Sequence, residues 1–146
     1  MNKQRLIIVI VLAVLIVLSA IILTGAYMLK DITITNVNAP AVGVHGQKIV
    51  VPNTIKNRGI VSTGNFDVNF YLTPQKNLNN RTFIGKRNIN DLAGRGTNSQ
   101  NTPLIIPMNT TPGTYYILAY ANMNKTVKEL YYNNNGRFSA TTIVIS

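Results

Sequence analysis

The sequence predicts an all-β protein, an immunoglobulin-like seven-stranded β-sandwich preceded by one N-terminal transmembrane helix. Three observations predict it. Leu6 to Leu29 are 24 consecutive residues without a charge, nearly all Leu, Ile, Val or Ala. Past Lys30 the apolar residues alternate with period two, and no helical period recurs. Turn signals separate the alternating runs at intervals of roughly 10–20 residues, as in a sandwich.

The apolar run comes first in chain order. At about 1.5 Å rise per residue it covers about 36 Å as a helix, enough for a hydrocarbon core of roughly 30 Å. It exceeds the apolar stretch of about 7–15 residues in a cleaved secretory signal. Thr24-Gly25-Ala26 makes a poor cleavage site. An uncleaved signal anchor is therefore expected over residues 1–30, its membrane segment running from Leu6 to Leu29. Lys3 and Arg5 hold the N-terminus cytoplasmic and leave the C-terminal part outside. Tyr27 is expected among the outer headgroups. The chain has no cysteine, which excludes a lipoprotein anchor. It also lacks the Gly or Ala before the apolar run, and the Glu just inside it, that a type IV pilin leader carries.

Residues 31–146 are one domain by size, long enough to bury a core without staples. The missing cysteines also exclude disulfides, thiol chemistry and cysteine-ligated metals. The net charge is +10, and the part past Lys30 holds 11 of the 14 basic residues and all four acids. The basic residues are scattered, with no run of five and no nucleic-acid motif, so nucleic acid is not expected as a partner. Solubility and attraction to anionic headgroups explain the charge, and binding of an acidic polymer is the sharper alternative.

The strands follow in order. Ile32 and Ile34 alternate with Thr33 and Thr35 and end before Pro40. Gly43 and Gly46 mark a loop. Ile49, Val51, Asn53 and Ile55 share one face of a second strand, in which Pro52 implies a break or an unpaired edge. Asn57-Arg58-Gly59 is a turn. Phe66, Val68, Phe70 and Leu72 give the cleanest half-buried strand, closed by Thr73-Pro74. Phe83-Ile84 and Ile89 belong to one or two short strands, and Gly94 to Gln100 reads as a polar, mobile loop. A strand through Leu104 and Ile106 ends at Pro107. After the Pro112-Gly113 turn, Tyr115, Ile117, Ala119 and Ala121 alternate. Thr126 to Leu130 reads as a short extension, Asn134-Asn135-Gly136 as a turn, and Phe138 to Ile145 as the last strand. Tyr115 stands where such domains place a tyrosine corner, and Ile117 stands where they place a core cysteine. Both are expected to face the core.

Several short motifs in order carry a resemblance. Ile49, Val51 and Ile55 lead into Lys56-Asn57-Arg58-Gly59; Phe70-Tyr71-Leu72-Thr73 follows; then come Ile84-Gly85-Lys86-Arg87 and Leu92-Ala93-Gly94. Ile105-Ile106-Pro107, Pro112-Gly113-Thr114-Tyr115-Tyr116, and Val127, Glu129, Asn133 and Asn134 complete the set. Together they resemble the CARDB family, the cell adhesion related domain found in bacteria, over roughly residues 31–146. The resemblance implies a seven-stranded, immunoglobulin-like adhesive or structural module outside the cell. Asn122 stands where the family usually has Asp, and the family's acid near Tyr131 or Tyr132 is missing. With Glu129 alone nearby, the six to eight oxygens that Ca²⁺ takes are not expected.

Little catalysis is available. Asp31, Asp67, Asp91 and Glu129 fall on different elements, and the single histidine, His45, lies in a Gly-flanked loop. No nucleophile elbow, phosphate loop or metal spacing is present, so no enzyme, no cofactor and no metal are expected. The better candidate is a surface. Tyr71 points opposite Phe70 and Leu72, while Tyr116, Leu118 and Tyr120 point opposite the core residues of their strand. On neighbouring strands the four are expected to form one exposed adhesive face, suited to protein contacts or sugar stacking. The alternative is that they stiffen a solvated sheet. Asn80, Asn109 and Asn124 each open an N-x-Thr sequon, and all three are placed in turns. The expectation is a membrane-anchored surface module engaging envelope proteins or glycans, with self-association into a filament and retention of acidic polymers as alternatives.

Overall fold

The computed structural model describes residues 2–129 and 131–146, and of residues 22–28 the backbone alone. The side chain of Tyr27, the Thr24-Gly25-Ala26 site and Leu130 therefore lie outside the described residues. The helix α1 spans Lys3–Met28. The side-chain oxygen of Asn2 caps its start by accepting from the Arg5 N–H at 2.9 Å. Its segment Lys3–Ile21 is long and apolar enough to cross a membrane, and none of it is buried against protein.

Nine strands follow among the described residues: β1 Ile32–Val37, β2 Val42–Gly43, β3 Lys48–Asn57, β4 Phe66–Thr73, β5 Thr82–Ile89, β6 Thr97–Ile105, β7 Gly113–Ala121, β8 Gly136–Phe138 and β9 Ile143–Ile145. They form two sheets. One has the order β1-β3-β6; the other has the order β2-β9-β7-β4-β5, with β8 also on β7. The core lies between them, and its largest fully buried side chains include Phe66, Phe70, Leu72, Ile55, Ile106 and Ile117.

Nine strands replace the expected seven for local reasons. The last strand is broken in two. The Ser139 hydroxyl accepts from the Ile117 N–H at 3.0 Å and donates to the Thr141 carbonyl at 2.7 Å, taking a place that a backbone carbonyl would fill in an unbroken ladder. As a result β9 pairs with the first half of β7 and β8 with the second. The short β2 runs parallel to β9, with Val42 opposite Val144, where a plain loop was expected. Residues Thr97–Gln100 are not a loop but the start of β6, paired with Lys56 to Asn53 of β3. Their polarity reflects an edge strand with a solvated outer face. The expected extension at 126–130 is not a strand over its described residues.

Pro52 sits inside β3, the central strand of its sheet. Its carbonyl accepts from the Asn38 N–H at 2.9 Å, so its nitrogen also faces the β1 side. There β1 has just left the ladder at Val37, and no donor is missed. Phe83, Ile84 and Ile89 share the one strand β5, which carries a bulge: Gly85 pairs with Phe70 and Phe83 with Tyr71, leaving Ile84 extra. Gly85 takes φ 143°, and a Cβ there would lie 2.8 Å from Leu104. Tyr115 packs against the core, its hydroxyl donating to the Thr111 carbonyl at 2.7 Å, and Ile117 is fully buried. That is a tyrosine corner, made where the sequence places it.

Candidate functional site

The outer face of the larger sheet gathers the aromatic residues. Alternation along β4 turns Asp67, Asn69, Tyr71 and Thr73 away from the core, and along β7 it turns out Tyr116, Leu118 and Tyr120. The register sets Asn69 opposite Tyr120, Tyr71 opposite Leu118, and Thr73 opposite Tyr116. The four predicted surface residues therefore share one face. The expectation that all four are open to solvent is corrected: Tyr71 is 9% exposed and Leu118 1%.

The cause is a cross-strand row over four strands, Phe83–Tyr71–Leu118–Phe138, whose outer members shield the inner two. The Tyr71 ring meets Phe83 edge-on at 5.6 Å between centroids, and the Arg81 guanidinium sits 5.3 Å above it. The Tyr71 hydroxyl donates to the Met123 sulfur at 3.2 Å. What the face presents to solvent is Phe83, half exposed, with the half-buried rings of Tyr116 and Tyr120. Lys76 lies 4.7 Å from the Tyr116 centroid. Phe83 escaped the sequence reading because the bulge at Gly85 shifts the phase of β5. The glycine inside a strand pattern was the available signal.

Beside the row, the same face dips into a depression of about 750 Å³ between β4, β5 and the turn at 122–126. Five asparagines line it, among them Asn69, Asn88 and Asn124, together with Asp67 and Lys86. Lys86 and Asp67 form an ion pair at 2.8 Å, and the Asn88 amide adds a bond at 3.1 Å. The Lys86 and Asn88 hydrogen bonds hold the Asp67 carboxyl below its usual range. The depression offers donors and acceptors together, next to aromatic rings.

Two buried charges lie elsewhere. Arg87 on β5 is 7% exposed and, among the described residues, bonds no carboxylate. Its Nε donates to Asn53 at 3.0 Å, and one Nη donates to Asn98 at 2.7 Å and Gln100 at 2.9 Å. Burial lowers its pKa. Glu129 is buried as well. Its Oε1 accepts from the amides of Asn122 at 2.6 Å and Asn135 at 2.8 Å, and its Oε2 accepts from the Ile32 N–H. Desolvation raises its pKa against these three bonds, and the nearby Asp31 adds to the rise. Asn122 also bonds the carbonyl and N–H of Val127, so it closes the loop as well as holding the carboxylate. Both carboxylate oxygens face N–H donors, which does not suit a cation. Among the described residues no three His, Cys, Asp or Glu side chains come together. Asn80, Asn109 and Asn124 are all exposed in turns.

Comparison with known proteins adds the family. The CARDB family model matches residues 29–139. A CARDB domain from Pyrococcus furiosus, solved in complex with di-metal ions, is similar at 19% identity and a TM-score of 0.59, covering 81% of this chain and 90% of that one. A domain of a Methanosarcina acetivorans protein assigned to the cell surface is similar at 16% identity and a TM-score of 0.56, covering 82% and 94%. A Listeria innocua β-glucosidase in complex with glucose is similar at 12% identity and a TM-score of 0.51. That match covers 80% of this chain but 16% of the enzyme, and it shows the fold alone. No curated protein sequence matches the chain. With the family model spanning 111 of its 146 residues, the chain belongs to the CARDB family.

Proposed function

We propose that the chain is a non-catalytic surface module, anchored by residues 1–30 with its immunoglobulin-like domain of residues 31–146 outside the cell. It adheres to envelope glycans or proteins through the outer face of its larger sheet. One observation carries this reading: Phe83, Tyr116 and Tyr120 stand on the same face as an amide-lined depression. Rings to stack on and amides to bond hydroxyls are what a sugar needs. The resemblance to a Methanosarcina domain assigned to the cell surface supports the location. The di-metal ions belong to the Pyrococcus domain and are not part of this reading; in this chain amide donors fill the surroundings of Glu129.

A second reading has its own observation. Lys76, Arg81 and Lys125 each sit over a tyrosine ring, at 4.7, 5.3 and 5.0 Å from the centroid. Together with the basic surplus of the domain they suit an acidic polymer. A titration of binding to isolated envelope polysaccharide against salt separates the two. Stacking and amide contacts survive ionic strength above about 0.15 M, where screening acts within about 8 Å. The adhesive reading expects salt-resistant binding that a folded Phe83→Ser, Tyr120→Ser double variant loses. Binding that salt abolishes and the variant keeps would give the role to the charges.

A further inference from the structure

The helix-proximal end of the sandwich is tied together by close backbone contacts. Three segments meet there backbone to backbone: 29–31 at the end of α1, the turn 57–63 and the turn 91–96. The Leu29 carbonyl accepts from the Ile60 N–H at 2.8 Å, the Asp31 carbonyl from the Arg58 N–H at 2.7 Å, and the Gly59 carbonyl from the Arg95 N–H at 2.8 Å. A Cβ at Gly94 would lie 2.1 Å from the Ile60 carbonyl oxygen. The three segments are thus fixed to one another by backbone contacts and by the buried Asn57 side chain, whose NH₂ donates to the carbonyls of Val61, Leu92 and Ala93 and whose Oδ1 accepts from the Asp31 N–H. What they hold outward is Ile60, 56% exposed, with Arg58 and Arg95 exposed beside it. Among the described residues neither guanidinium has a hydrogen bond or an ion pair. Lys30 joins them, its ammonium on the Thr63 carbonyl at 3.2 Å. The acids of this end are Asp31, which bonds the Asn134 amide at 2.6 Å, and Asp91, which accepts from the Gly64 N–H at 2.8 Å.

An apolar tip flanked by arginines, tied one residue past the end of an apolar helix, has its partner set by the covalent chain. We propose that this end of the domain docks on the anionic headgroups of the bilayer that α1 enters. Ile60 inserts between the headgroups, and Arg58 and Arg95 lie on their phosphates. The docking rests on the anchor reading. It fixes the tilt of the domain on the membrane and turns the aromatic face sideways rather than leaving it on a free tether.

The chain has no tryptophan, so one introduced indole reports alone. The full chain carrying Ile60→Trp is reconstituted into vesicles of phosphatidylcholine, with or without phosphatidylglycerol, containing lipids brominated in the acyl chain. Ile105→Trp is the control, since Ile105 is also exposed but pairs with Lys48 at the far end of β3. The expected result is a blue-shifted Ile60→Trp emission quenched at least threefold more than the control in anionic vesicles. Adding Arg58→Ser and Arg95→Ser should remove most of that difference. A chain that floats with the vesicles while its Ile60→Trp emission matches the control would overturn the docking and leave the anchor standing. Equal quenching in pure phosphatidylcholine, indifferent to both arginines, would overturn the role of anionic headgroups. A chain that does not float would overturn the anchor and the docking with it.

Discussion

The carbonyl oxygen of Leu29 occupies the place where a side chain on Gly59 would begin: a Cβ built there would lie 1.8 Å from it. The contact joins Leu29, one residue past α1, to the turn between β3 and β4. Gly59→Ala must push the two backbones apart. Forced overpacking typically costs about 1–3 kcal/mol, and here the obstacle is backbone rather than a movable side chain. Urea unfolding of Gly59→Ala should show a loss in or above that range. An unchanged midpoint would mean that residues 29–31 are not seated against the domain.

The Tyr115 corner and Ile117 test the register of β7. Ile117→Ala empties a fully buried site and should cost about 2–5 kcal/mol. Tyr115→Phe removes only the bond to the Thr111 carbonyl and should cost about 0.5–1.5 kcal/mol. Thermal melts of the two variants should therefore rank clearly, with Ile117→Ala the lower. The reverse order would place Ile117 outside the core.

Glu129 predicts a pH dependence. Its carboxyl titrates higher in the folded chain than in the unfolded one, because burial outweighs its three hydrogen bonds. Between the two values the folded state binds the extra proton, so stability falls as pH rises from the unfolded value of about 4.3 through the raised folded value. Asp67, with its lowered carboxyl, acts in the opposite sense: its contribution is present above its unfolded value and lost as pH falls through the folded one. Stability curves taken upward from about pH 4.5 therefore isolate Glu129. Glu129→Gln should flatten that decline. It should also lower stability by about 1–3 kcal/mol, since its amide NH₂ turns a donor toward donors. A decline that persists in Glu129→Gln would assign it to another group.

Arg87 is the other buried charge. Arg87→Leu keeps the apolar bulk but leaves the side-chain oxygens of Asn53, Asn98 and Gln100 without their donor. A loss of about 1–3 kcal/mol is expected, chiefly from the buried Asn53 oxygen left without a donor, read by denaturant unfolding. A gain in stability would show that desolvating the guanidinium costs more than its three bonds return.

The parts of this fold that were legible in the sequence are those written in period two. β4 and β7 follow from Phe66, Val68, Phe70 and Leu72, and from Tyr115, Ile117, Ala119 and Ala121, because one face of each meets the core. The start of β6 was hidden. An edge strand with one solvated face spends its first residues on Thr, Asn, Ser and Gln, which read as a loop. The break between β8 and β9 was hidden too, because it depends on one serine hydroxyl replacing a backbone group. At the candidate site, alternation correctly placed Tyr71, Tyr116, Leu118 and Tyr120 on one face. It could not show which of them their neighbours cover. That depends on the register of four strands and on a bulge, and both are set by pairing across long stretches of chain.

The anchor is the claim on which location and function both depend. N-terminal sequencing and intact mass of the protein extracted from its native membranes test it directly. The account predicts a chain that still carries Lys3 to Met28 and, freed of any glycan, has a mass near 16.1 kDa. A mature chain beginning near Tyr27 would contradict it and release the domain from the membrane.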